Sequence, residues 1–152
     1  MCLNHKKDAL ESFQSPIVKD YELMLEYKRL KTTAPSGVYV APSFDRLRVW
    51  HGFIVINQGL YKGGTFKFRI DIPDEYPSVG PKVHFLSAVY HPFVHQRTMQ
   101  LHLGWAIKRW TYPKHCILYV LKRLKKMFYI TDFSKYPAIW ALAKKMSLVC
   151  CV

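Results

Sequence analysis

Between Thr65 and Ile72 apolar and polar side chains alternate, with Phe66, Phe68, Ile70 and Ile72 on one face and Lys67, Arg69 and Asp71 on the other. A period of two is the signature of a strand with one face buried. Three more strand-like runs stand beside it: 37–42 (GVYVAP), 48–56 (RVWHGFIVI) and 82–86 (KVHFL). The second offers Trp50, Phe53 and Val55 to the same core. NQGLYKGG joins the second run to the third, and its glycines permit the positive φ that a tight connection needs. Short connections of this kind predict an antiparallel meander. Before it, Ser15-Pro16 to Lys31 reads as a helix, with Ser15 as cap, Pro16 at the first helical position and Ile17, Tyr21, Met24 and Lys28 on one stripe. TTAPSG ends it.

After the fourth run, Ser87 to His115 is irregular and rich in aromatic residues, a length that compact domains reserve for functional loops. Cys116 to Phe128 then turns strongly amphipathic. Ile117, Val120, Leu121, Leu124, Met127 and Phe128 share the inner face, and Lys122, Arg123, Lys125 and Lys126 the outer one. Pro137 opens a last helix through Ile139, Leu142, Ala143 and Met146. The elements predict an α+β fold: an N-terminal helix, a four-stranded antiparallel meander, a long irregular segment and two C-terminal helices. Residues 1–15 read as a flexible lead-in and 16–152 as one domain.

At 152 residues, half of them apolar, the chain can bury a core and lies outside the composition of disordered proteins. No apolar run reaches the ~18 residues that a membrane span requires. The opening MCLNHKKDALESFQ lacks the apolar stretch of a signal peptide, which places the chain in the cytosol or nucleus. Cys2, Cys116, Cys150 and Cys151 form no CxxC spacing, as expected of a reducing compartment. The formal charge of +13 raises nucleic acid or anionic membrane as partners. The cations are spread along the chain, however, and the densest clusters (Lys122 to Lys126; Lys144 and Lys145) interrupt apolar positions at helical spacing. Solvated helix faces are therefore favoured over a polyanion-binding module, and nucleic acid is disfavoured as a partner.

Linked motifs sharpen the fold. Tyr61-Lys62-Gly63-Gly64-Thr65-Phe66 leads into the third run, Ile72-Pro73-Asp74-Glu75-Tyr76-Pro77 leaves it, and Pro81-Lys82-Val83-His84-Phe85 forms the fourth. Tyr90-His91-Pro92-Phe93 and Trp110 follow. In this order they resemble the ubiquitin-conjugating (UBC, E2) enzymes over residues 16–147, and the UBC fold is what the resemblance implies. Active members carry Tyr-His-Pro-Asn and, eight residues after the asparagine, the cysteine that accepts ubiquitin as a thioester. Here Phe93 stands at the asparagine position and Leu101 at the cysteine position. Leucine offers neither nucleophile nor hydrogen bond. The resemblance thus implies a pseudoenzyme with no catalytic residue, Phe93 and Leu101 being degenerate positions and His91, Pro92 and Trp110 fold-motif residues.

Cys116 is the only internal thiol that could act as a displaced nucleophile, and it would have to serve a site built by another part of the chain. A metal centre at His91, His95 and His102 lacks a completing thiol or carboxylate, so neither metal nor cofactor is expected. Gly37-Val38-Tyr39-Val40, Trp50-His51-Gly52 and Gly59-Leu60-Tyr61 resemble the Fused-toes, AKT-interacting protein and crossbronx group of inactive variants. That resemblance implies an adaptor with protein partners, Hook-type coiled-coil adaptors in vesicle trafficking or an AKT-like kinase. It also implies a chain cut short at Val152, since group members extend further. Ubiquitin binding is left open. Phe44, Phe93 and Trp105 are aromatic candidates for partner anchors.

Overall fold

The structure is a computed structural model, and it describes residues 16–132. The expected lead-in, the Ser15 cap, the helix from Pro137 and three of the four cysteines lie outside the described residues. The described residues fall into two units, divided between residues 33 and 34.

The first unit contains helix α1, Pro16–Thr33. Near its end the hydroxyls of Thr32 and Thr33 both donate to the Arg29 carbonyl, at 3.0 and 2.8 Å. Pro35 then disfavours helical geometry at Ala34. The stripe expected from the sequence is corrected here: Ile17, Tyr21 and Met24 are exposed, and Leu23 and Leu30 are the buried positions. Apolar residues occur on several sides of this helix, so periodicity alone did not single out the buried one.

The second unit holds a sheet of β1 (Val38–Pro42), β2 (Val49–Val55), β3 (Thr65–Asp71) and β4 (Lys82–Phe85) in consecutive order, every pair antiparallel. The β2–β3 register sets Trp50 opposite Ile70, Gly52 opposite Phe68 and Ile54 opposite Phe66. Trp50, Ile54, Phe68 and Ile70 are therefore buried, whereas Phe53 turns outward and stacks on Tyr39 at 4.8 Å. The expectation for Phe53 and Val55 is corrected by parity, since neither can share a face of one strand with Trp50, and Val55 is only half-buried. Gly52 is required where it stands: a Cβ there would lie 2.4 Å from the Tyr39 carbonyl oxygen and 2.6 Å from the Phe68 ring. At the end of the hairpin, Gly63 adopts φ of +82° while its amide donates to the Ile56 carbonyl.

Helix α2, Ile117–Met127, buries Ile117, Val120, Leu121, Leu124 and Met127 as its pattern predicts. Phe128, just past its end, stacks on Phe66 at 5.0 Å and meets the Phe85 ring edge-on at 6.1 Å. Lys125 Nζ ties the helix to the segment before β1 through the Ser36 carbonyl at 2.7 Å. Trp110 pins the connection between β3 and β4. Its Nε1 donates to the Pro77 carbonyl at 2.7 Å, and its ring lies against Gly80, where a Cβ would come within 2.5 Å.

Candidate functional site

The irregular segment after β4 folds back along the sheet edge. Leu101 N donates to the Val83 carbonyl, Phe85 N to the Met99 carbonyl, and a single bridge joins His84 to Gln100. A second bridge joins Val94 to Leu101, closing a small loop whose tip contains Met99 at φ of 54°. Sequence periodicity could not reveal this pairing, because each bridge involves one residue and depends on β4 being in place.

His91 and Phe93 sit at the base of this loop, and both are fully buried. His91 Nδ1 accepts the Phe93 amide at 3.1 Å, so the ring proton resides on Nε2, which donates to the Met127 carbonyl at 3.1 Å. The imidazole thereby fastens the segment to the end of α2. Burial lowers its pKa from 6.5 to about 4, opposed in part by the Met127 hydrogen bond. Tyr61 closes the other side: its hydroxyl donates to the Tyr90 carbonyl at 2.6 Å, and burial raises its pKa.

The His91 geometry has a consequence for stability. The folded protein keeps His91 neutral down to about pH 4, while the unfolded chain takes up a proton near pH 6.5. The contribution is complete above pH 6.5 and is lost as pH falls toward 4. At ~1.4 kcal/mol per pH unit, that window corresponds to about 3 kcal/mol. Urea titrations at pH 7 and pH 4.5 should show His91→Gln losing less stability on acidification than the native chain by about 2–3 kcal/mol. Equal losses in the two proteins would contradict this role.

The Phe93 ring stacks on Trp105 at 4.7 Å and 6° between planes. Of the three aromatic anchor candidates, Phe93 is therefore buried, Trp105 is half-buried and Phe44 is fully exposed. Leu101 is only 3% exposed. Five amides around these two residues are committed: Phe93 to His91 Nδ1, Val94 to the His91 carbonyl, His95 to the Gln100 carbonyl, Leu101 to the Val83 carbonyl and His102 to the Phe93 carbonyl. None of the five is left to meet an oxyanion, and neither side chain can attack a carbonyl or donate a hydrogen bond.

Cys116 occupies a different place, at the start of α2, with extended backbone and no capping hydrogen bond from its thiol. It is half-buried and unoxidised. The three histidines do not converge as a ligand set. Both His91 nitrogens are engaged as described, and His95 Nδ1 accepts the Thr98 amide at 3.2 Å. Among the described residues no group of three or more His, Cys, Asp or Glu side chains could hold a metal ion. No described helix is long and apolar enough to cross a membrane.

A helix, a four-stranded antiparallel meander, a loop folded along the β4 edge and a following helix define a UBC-type fold. Residues 22–146 match the ubiquitin-conjugating enzyme family, and the chain belongs to it. The fold is shared with human ubiquitin-conjugating enzyme E2 G1, at a TM-score of 0.65 and 22% identity over 72% of this chain and 93% of that one. Within the family the chain is an E2-like variant similar to the crossbronx and AKT-interacting protein group. It is 32% identical to the crossbronx homolog of Culex quinquefasciatus, covering 87% of this chain and 57% of the relative. With human AKT-interacting protein the identity is 35%, covering 77% of this chain and 40% of the relative. The AKTIP homolog of Nematostella vectensis is 36% identical over the same shares. The chain thus spans about half the length of these relatives.

Proposed function

We propose that this chain is a non-catalytic E2 variant that has kept the UBC fold as a protein-interaction module. The reading rests on the burial of Leu101 and Phe93, the positions that the family resemblance assigns to the nucleophile and its neighbouring amide, whose own backbone amides are already engaged. A site for a thioester needs a reachable thiol and a free donor. Fold alone does not decide activity. The adaptor role, a cytoplasmic location, and partners of the Hook-type adaptor or AKT-like kinase class are proposed from the resemblance to the AKT-interacting protein group.

The test is direct. Purified protein incubated with ubiquitin-activating enzyme, ubiquitin and ATP should form no reductant-sensitive adduct. An adduct that survives replacement of Cys2, Cys150 and Cys151 but vanishes in Cys116→Ala would overturn the proposal in favour of a displaced nucleophile.

A further inference from the structure

The cations are spread along the chain, but the acidic residues are not. From Tyr76 to Thr131 the chain carries nine lysines and arginines and no aspartate or glutamate. No ion pair between described residues involves any of the nine. Six of them are brought together by a row of side chains that the sequence does not show as a row. The Trp110 ring lies 5.7 Å from His115, the His115 ring 4.9 Å from Tyr119, and the Arg123 guanidinium sits 4.6 Å over the Tyr119 ring. Arg123 also donates to the Tyr119 hydroxyl at 2.7 Å, so its head is held in place. Lys108 and Arg109 flank the Trp110 end, Lys114 precedes His115, and Lys122 and Lys126 stand one turn apart on α2. Arg123 is half-buried and the other five are exposed.

The character of the row narrows the ligand. Single-stranded nucleic acid would need free aromatic faces for its bases. Here His115 is buried and the Tyr119 face is covered by Arg123. Tyr112 and Tyr129, by contrast, are 52% and 38% exposed, one two residues before Lys114 and the other three residues past Lys126. Tyrosines with an apolar body and a polar tip settle at the level of lipid headgroups. The apolar side of α2 is fully used in the core, so the helix cannot insert. We propose that this strip docks the protein peripherally on an anionic membrane surface, with lysines and arginines meeting lipid phosphates and carboxylates. Each cation near such a surface strengthens binding by about fivefold, and salt screens the attraction.

The experiment is sedimentation of the full chain with phosphatidylcholine vesicles that contain or lack about 30 mol% phosphatidylserine. Binding is expected only with phosphatidylserine at about 0.1 M salt and should be lost near 0.5 M. Lys108→Gln, Lys114→Gln and Lys122→Gln together should weaken it by about 100-fold. The same loss of charge at Lys62, Lys67 and Lys82, exposed residues outside the strip, should cost less than about tenfold. Melting temperatures equal to that of the native chain establish that both triple variants are folded. The proposal is overturned if the vesicles are not bound, or if the two triple variants lose binding equally. Binding of single-stranded RNA or polyglutamate in preference to phosphatidylserine vesicles overturns it as well.

Discussion

Phe68→Ala is expected to destabilise the protein by about 3–5 kcal/mol, the range found when a buried phenylalanine is truncated. The ring is completely buried on β3 and faces Gly52 across the β2 pairing. Its edge fills the space that a side chain at position 52 would take, with ring carbons 2.6 and 2.9 Å from the site of a Cβ. Removing the ring therefore opens a cavity that the opposite strand cannot refill, because Gly52 has no side chain to move inward. Poor collapse is what places a truncation at the costly end of its range. Urea denaturation monitored by tryptophan fluorescence would measure the loss, since Trp50 lies in the same buried face. A change below about 1 kcal/mol would mean that the β2–β3 register is assigned wrongly.

Leu101→Cys is expected to leave the protein without ubiquitin-conjugating activity, at least ~10²-fold below an ordinary family member. Supplying the missing atom type does not supply the site. A sulfur at position 101 would be nearly inaccessible, and burial in apolar surroundings disfavours the thiolate that does the chemistry. Phe93 offers no amide to a developing oxyanion, and loss of one such donor costs ~10²–10³ in rate. Adding Phe93→Asn would break the stack on Trp105 and bury a polar amide where a fully enclosed ring now packs. The double variant should therefore melt well below the native protein. The readout is single-turnover transfer of ubiquitin from the variant to free lysine. Transfer by Leu101→Cys alone at an ordinary rate would show that the position is reachable and that Phe93 is no defect, which would sink the proposed loss of catalysis.

Much of the fold is legible in the sequence. The alternation over 65–72, the glycines between β2 and β3 and the one-sided apolar pattern of α2 are local signals, and each element appears within a residue or two of its expected bounds. The Tyr-x-Gly-Gly, Tyr-Pro and His-Pro motifs added to this through their resemblance to the ubiquitin-conjugating enzymes, which implied the topology. The proposed chemical deficiency was likewise read from residue type, since phenylalanine and leucine, at the positions the family resemblance assigns to an amide and a thiol, cannot do what those groups do.

What the tertiary structure alone decided was which of several apolar residues turn inward. In β2, Trp50 and Phe53 both look like core residues, and only the pairing with β3 orients the strand so that Phe53 faces out. In α1, apolar side chains occupy more than one face, so the burial of Leu23 and Leu30 could not be read from spacing. The enclosure of Phe93 and Leu101 depends on two single bridges, one to β4 and one closing the loop itself, and on His91 reaching Met127. The row from Trp110 to Arg123 likewise forms across a loop and a helix. By itself the sequence determined the elements, their order and the inventory of chemical groups, because backbone preference and periodicity act over a few residues. Burial in loops and the gathering of charges were settled by contacts between residues far apart in the chain, which no local pattern encodes.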